Sequence, residues 1–376
     1  MRFRTSLLIA ALALPTVPQP GSGQSLDLTI NNTGLSIGDS RFVRGIRLNF
    51  RDSDLQRVEG INATIWSPYP GSRGVVQGLA LGLPVTGARR IEGAGMGLFG
   101  VGTESEFTGL GIGGFGVGAG GDARGILVGG FGVGTGGDLT GLTIGGFGAG
   151  AGGRVRGITI GGFGAGAGGG IEGITIAGFG AGSGGDIRGV TIAGFGAGGG
   201  GDITGLQLAG FGVGGGGRVK GISMALIGVG GGSSVTGFQF GGIGVGGGGD
   251  VTGISIAGIG VGAGGTLRGL AVGGVGVGAP SIRGIVIASS AGGHDVRGGV
   301  LAPVYFRIES QEDGDLGLMR GISASAFNHI KGEHRGLSIG LLNYAWELRG
   351  WQVGVLNYAA NNPKGLRLLP LFNREW

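Results

Sequence analysis

The stretch Gly205-Leu206-Gln207-Leu208-Ala209-Gly210-Phe211-Gly212-Val213-Gly214-Gly215-Gly216-Gly217-Arg218-Val219-Lys220 is one copy of a sixteen-residue unit. Its opening glycine recurs at positions 109, 125, 141, 157, 173, 189, 221, 237, 253 and 269. Position 7 of the unit holds Phe115, Phe131, Phe147, Phe163, Phe179, Phe195 and Phe211, then Ile227, Ile243, Ile259 and Val275. A fixed period of this kind marks a repeat architecture, in which one unit is one structural element stacked on its neighbours.

Outward from this core the unit loosens without disappearing. An aliphatic residue, any residue, then glycine recurs at Val43-Arg44-Gly45, Val58-Glu59-Gly60, Val76-Gln77-Gly78 and Ile91-Glu92-Gly93. The same junction returns at Ile282-Arg283-Gly284 and Val296-Arg297-Gly298, and more freely at Met319-Arg320-Gly321, His334-Arg335-Gly336 and Leu348-Arg349-Gly350. The chain therefore divides into irregular repeats over 25–108, ten glycine-rich repeats over 109–268, and divergent repeats with a cap over 269–376. One longer unit, 298–320, carries Gln311-Glu312-Asp313-Gly314-Asp315 as an exposed loop.

Glycine supplies 104 of the 376 residues. At nearly 1 kcal/mol per residue against helix, that density rules out a helical unit. Collagen needs glycine at every third place with abundant proline, and a flexible linker would lack the 41% of hydrophobic residues. Within each unit, positions 2 and 4 are aliphatic, and positions 7 and 9 are Phe/Ile and Val/Ala. Each pair alternates as a strand does. A bend at positions 5 and 6 lets both pairs face one interior, and the glycines of positions 10 to 13 turn the chain. The expected fold is all-β: a β-solenoid of about 20 coils of 14–16 residues, roughly 100 Å long at ~4.8 Å per strand spacing.

The alternative is a transmembrane β-barrel of about 22 strands, each unit one strand and a tight turn. Position 16 supports it by alternating: Thr108, Arg124, Thr140, Arg156, Glu172, Arg188, Thr204, Lys220, Thr236. In a solenoid the same alternation keeps like charges from stacking. Against a barrel, strict in–out alternation would turn Leu and Ile toward an aqueous lumen.

Arg2 and Arg4 precede an apolar run from Leu7 to Leu14 that breaks at Pro15, with small residues near Gly21 to Gly23. This is the pattern of a secretory signal peptide, taken as residues 1–24, and it implies export. With no cysteine, the chain has no lipid-anchor cysteine, disulfide or thiolate metal site. The net charge of +5 is not gathered on one face: residues 109–268 hold seven basic and six acidic side chains. Nucleic acid is therefore not an expected partner.

Candidate chemistry is sparse. Gly34-Leu35-Ser36-Ile37-Gly38 and Gly336-Leu337-Ser338-Ile339-Gly340 match the nucleophile elbow of serine hydrolases. Ser338, however, stands at position 3, a slot filled by Thr143, Thr159 and Gln207 in other units, so it reads as a repeat position. Asp122, Asp138, Asp186, Asp202 and Asp250 share position 14, where a turn-capping carboxylate explains them better than calcium. His294, His329 and His334 form no metal triad in sequence. No catalytic, cofactor or metal residue is assigned, and no cofactor is expected. Aromatics gather late, at Tyr305, Phe306, Tyr344, Trp346, Trp351, Tyr358 and Trp376. They are read as plugging the end of the stack, with a membrane girdle or a carbohydrate surface as alternatives.

Gly336-Leu-Ser-Ile-Gly-Leu-Leu-Asn-Tyr-Ala345 is followed by Gly350-Trp-Gln-Val-Gly-Val-Leu-Asn-Tyr-Ala359, and Asn328, Asn343, Asn357 and Asn373 take corresponding places. Such asparagines either hydrogen-bond to their copies in a coil corner or merely tolerate a turn. Residues 321–376 resemble a poorly characterised bacterial group of surface-repeat proteins with units of the form Gly-Leu-x-Ile-Gly-Leu-x-Asn-x-Ala. The resemblance implies an exported cell-envelope protein and carries no catalytic residue. The expected function is a non-catalytic structural or adhesive role at the cell surface or outer membrane. Its partners would be envelope or surface components, with membrane association open and an outer-membrane barrel or pore as the alternative.

Overall fold

The computed structural model describes residues 25–68, 74–310 and 315–376. The expected signal peptide and residues 311–314 of the expected loop lie outside the described residues. The described chain is a β-solenoid of about 19 stacked coils.

Each central coil contains one long and one short strand, such as Leu139–Gly145 and Gly148–Ala151. Long strands pair in parallel only with long strands one coil away, Gly141 opposite Gly125 and Gly157. Short strands do the same, Val133 opposite Val117 and Ala149. The register is therefore the sixteen-residue repeat itself. This parallel ladder overturns the barrel alternative, whose consecutive strands would run antiparallel.

The turns between strands are also hydrogen-bonded from coil to coil. Phe131 N donates to Phe115 O at 2.6 Å, and Gly137 N donates to Gly121 O at 3.0 Å. Position 1 stands in the long strand at a φ reserved for glycine, +121° at Gly173. A Cβ there would meet the carbonyl oxygen of Gly157 in the preceding coil. The invariant glycine thus lets two backbones approach where an L side chain cannot fit.

Which side chains enter the core differs from the expectation. The interior belongs to positions 3, 5, 9 and 15: Thr159, Gly161, Ala165 and Ile171 in one run, with Ile187, Ile203 and Val219 continuing the position-15 column. Position 9 is buried as expected. Positions 2, 4 and 7 point outward; Ile158, Ile176 and Phe163 are 42%, 39% and 49% exposed. The reason is parity. Alternation runs unbroken from the buried aliphatic at position 15 through the glycine at position 1, so 3 and 5 face inward and 2 and 4 outward. Most of positions 3, 5 and 9 hold Thr, Gly, Ala or Val, and the larger buried side chains, such as Leu139, Ile171 and Leu267, gather at position 15.

Both ends are closed by antiparallel strands. At the start, Ser25–Ile30 pairs with Thr33–Gly38 through Asn31 and Asn32, both at positive φ, the signature of a tight hairpin. At the finish, Leu368–Arg374 covers Trp351–Ala359. Pro370 sits in this last strand, where a missing N–H is tolerated at an edge. Each cap leaves only a short terminal strand at the edge, six residues at the start and seven at the finish.

Candidate functional surface

The motifs that suggested chemistry are absorbed by the fold. Ser338 is fully buried and shares hydrogen bonds with Ser323 at 3.2 Å and with His334 Nε2 at 3.1 Å. Burial pushes the His334 imidazole down to about 4, so it is neutral at physiological pH. The nucleophile-like serine and its histidine lie where no substrate can reach. Ser36 is likewise buried, against Ser40, which in turn donates to Asp27.

The position-14 aspartates cap turns. Asp138 N donates to Asp122 Oδ1 at 2.8 Å, Arg154 N to Asp138 Oδ1 at 2.8 Å, and Thr266 N to Asp250 Oδ1 at 2.7 Å. Each carboxylate thereby takes up a backbone donor from the following coil. Arg218 gives Asp202 both its backbone N–H and its guanidinium, which hold that carboxyl below its usual range. Among the described residues no group of three or more His, Cys, Asp or Glu is placed to hold a metal ion. His294 is bound instead to the Glu309 carbonyl at 2.7 Å and the Asp315 carboxylate at 3.0 Å.

Two buried polar networks were only partly foreshadowed by sequence. Near the start, the fully buried guanidinium of Arg47 donates to Asp52, Asp39, the Asn62 side chain at 2.8 Å and the Ser40 carbonyl at 2.9 Å. Nothing in the spacing distinguished Arg47 from the exposed arginines of other junctions. It falls at position 3, the inward slot. Near the finish, Asn328 Nδ2 donates to Asn343 Oδ1 and Asn343 Nδ2 to Asn357 Oδ1, both at 2.7 Å. Three of the four asparagines therefore form the expected ladder. Asn373 leaves it and accepts from Asn362 at 3.0 Å.

Of the late aromatics, Phe306 is fully buried in the core, but the tryptophans do not plug the end of the stack. Tyr344 and Tyr358 stack with ring centroids 5.2 Å apart, and Trp346, Trp351 and Trp376 are about half exposed on the outside of the last coils. Closure comes from the strand Leu368–Arg374 instead.

What remains is the surface. Outward-facing Phe115 to Phe211 form a ladder of stacked rings, from 6.3 Å between Phe115 and Phe131 to 3.8 Å between Phe195 and Phe211. Beside it run the half-exposed aliphatics of positions 2 and 4, including Ile126, Ile158, Ile174 and Ile192. Toward the first coils the position-4 column and its neighbour enclose an apolar cleft of about 920 Å³, lined by Leu48, Phe50, Ile65, Leu81, Leu83 and Met96 among others. The charges stand apart from all of this, on the edge formed by positions 14 and 16. There Glu172 lies between Arg156 at 3.2 Å and Arg188 at 3.7 Å in adjacent coils. No described helix is long and apolar enough to cross a membrane. Comparison of the chain with protein-family models, curated proteins and solved structures finds no match.

Proposed function

We propose that this chain is an exported, non-catalytic structural or adhesive repeat protein of the bacterial cell envelope. The observation that carries the reading is how its polar groups are used. The aspartates, asparagines and serines that could serve chemistry are instead bonded from coil to coil, and the buried His334 is bonded to Ser338 within its own coil. The outer surface is one pattern repeated along the rod, suited to extended contact with surface components rather than to a pocketed substrate. Export rests on Arg2, Arg4 and the apolar run Leu7 to Leu14.

The test is expression of the full chain in a Gram-negative host, fractionation, and N-terminal sequencing of the recovered protein. A mature chain that begins near residue 25 and sediments with the envelope is the expected result. Recovery in the cytosol with residues 1–24 attached would overturn the proposal.

A further inference from the structure

We infer that the solenoid lies along a lipid surface, with its Phe edge and aliphatic sheet face in the acyl layer and its charged edge toward water. This inference does not depend on the export reading. It begins from the surface: position 15 buries an aliphatic column, yet the large apolar side chains of positions 2, 4 and 7 stand outside while position 3 inside is mostly polar. Thr143, Thr159, Thr175, Thr191 and Gln207 are buried at position 3, while Phe131 is 59% exposed. In water the apolar area of positions 2, 4 and 7 stays unburied, although a core runs the length of the rod.

Charge placement has the same direction. Between 109 and 268 every Asp, Glu, Lys and Arg stands at position 14 or 16, on one edge of the rod. Positions 2, 4 and 7 and the short strands carry none; the position-16 charges stand toward the start of the long strand, before the glycine of position 1. This is the segregation of an interfacial amphipathic helix, built here on a β-scaffold.

Hydrocarbon also demands that backbone groups be paired internally. The strands meet that demand through the parallel ladder. The Phe turn meets it too, since Phe147 N donates to Phe131 O at 2.6 Å and Gly146 N to Gly129 O at 3.0 Å. An edge whose turns bond along the rod can enter the acyl layer without stranding donors.

The area is large. Seven rings, each about half exposed and each about 200 Å² in full, present roughly 700 Å² before any aliphatic residue is added. That already exceeds the roughly 300–600 Å² of the largest apolar patch on an ordinary monomer. A second copy docked face to face would bury one side of the rod. The uncharged surface wraps from the sheet face round the Phe edge to the short strands, which a fluid layer covers and a single flat partner does not. The cleft between Leu48 and Leu83 is the same surface made concave, and it accommodates an acyl chain.

Because the chain has no cysteine, single labels report position unambiguously. An environment-sensitive fluorophore is placed on Phe163→Cys or on Asp138→Cys, and each labelled chain is mixed with phosphatidylcholine–phosphatidylglycerol vesicles. Emission from the first is expected to rise several-fold and to be quenched by doxyl-labelled lipid, with the second unchanged. Flotation of a Phe147→Ser, Phe163→Ser, Phe179→Ser variant with an intact β circular dichroism spectrum is expected to show partitioning reduced about a hundredfold. Tryptophan emission of the unsubstituted chain, quenched by brominated phosphatidylcholine, gives a readout free of any folding defect. Absence of that quenching would overturn the inference. So would equal responses at both labelled sites, or a label at 163 that responds only to protein concentration while light scattering shows a dimer.

Discussion

The regular middle of the rod and its irregular ends close their coils by different means. Between Gly109 and Gly278 a corner is a glycine turn, and its backbone groups bond to the same turn in the next coil. At the ends, where the spacing of the junction glycines varies between 14 and 23 residues, buried side chains take over. Arg47 with Asp52, Asn62 and Asn49 fills that role early, and the Asn328–Asn343–Asn357 ladder fills it late. An exact period lets backbone pair with backbone everywhere, so few side chains are needed as connectors. Once the period slips, carbonyls fall out of register and a side-chain amide or guanidinium must reach them. Asn343 Nδ2, for instance, also donates to the Val353 carbonyl at 3.1 Å.

The comparison breaks most visibly at the N-terminal network. Asp52→Ala removes the carboxylate that accepts from Arg47, Asn62 and Thr64, and leaves the buried guanidinium with one carboxylate, Asp39, beside its neutral acceptors. A loss of about 4 kcal/mol is expected. Repeat arrays do not unfold in one step, so hydrogen exchange resolved by mass spectrometry is the suitable measure. It should deprotect residues 33–64 and leave the central coils protected.

A pH effect confined to the C-terminal coils comes next. His334 has its ordinary value of 6.5 in the unfolded chain and about 4 when buried. As pH falls from about 6.5 toward 4, the unfolded chain binds a proton that the folded chain refuses. Stability present above that window is therefore lost through it, by on the order of 3 kcal/mol. Exchange rates near residues 321–348 should rise across that window, and His334→Gln should remove most of the dependence, leaving the part of His329, whose imidazole burial also pushes down. The coils between 109 and 268 contain no histidine and should show no such step.

Asn343→Ala tests whether side chains do carry the late corners. It leaves the buried Asn328 amide and Asn357 carbonyl without the bonds they make at 2.7 Å. About 2–3 kcal/mol should be lost locally, measured as deprotection of Phe327–Leu348 and Trp351–Ala359.

These contrasts show what the sequence made legible. Spacing was enough for the solenoid, because parallel stacking in register is what a constant period of sixteen produces. The recurring Asn slot was readable for the same reason, but whether it made a ladder or only tolerated a turn was decided by the Asn328–Asn343–Asn357 bonds. Inside and outside were not legible, because the largest apolar residues, Leu, Ile and Phe, were taken to mark the core. Thr159 and Gln207 at position 3 resemble outward-facing repeat slots until the parity is counted from Ile171 and Ile203 at position 15. Several of these inward groups, such as Thr175 Oγ1 and Ser223 Oγ, have no hydrogen-bond partner, an arrangement hydropathy reasoning would not choose. Arg47 was hidden in the same slot, since its satisfaction depends on Asp39, Asp52 and Asn62 arriving from three separate places in the chain.

The smallest effect asks what the glycines of the middle are for. At position 1, Gly173→Ala forces a Cβ onto the Gly157 carbonyl at φ +121°, and about 2 kcal/mol of destabilisation is expected. Position 10 is different. A Cβ added at Gly166 would find its nearest neighbour, the Gly182 carbonyl oxygen, at 3.7 Å, and one added at Gly134 or Gly214 would meet nothing within 4 Å. Gly166→Ala should therefore change stability in water by less than about 0.5 kcal/mol, read by the same exchange measurement. If it does, the glycines of positions 8 and 10 are not demanded by stacking within the chain, whereas those of positions 1, 6 and 12 are. The bare outer face of the short strands would then owe its smoothness to what lies against it, and vesicle partitioning of Gly166→Ala beside Gly173→Ala would separate the two kinds of glycine.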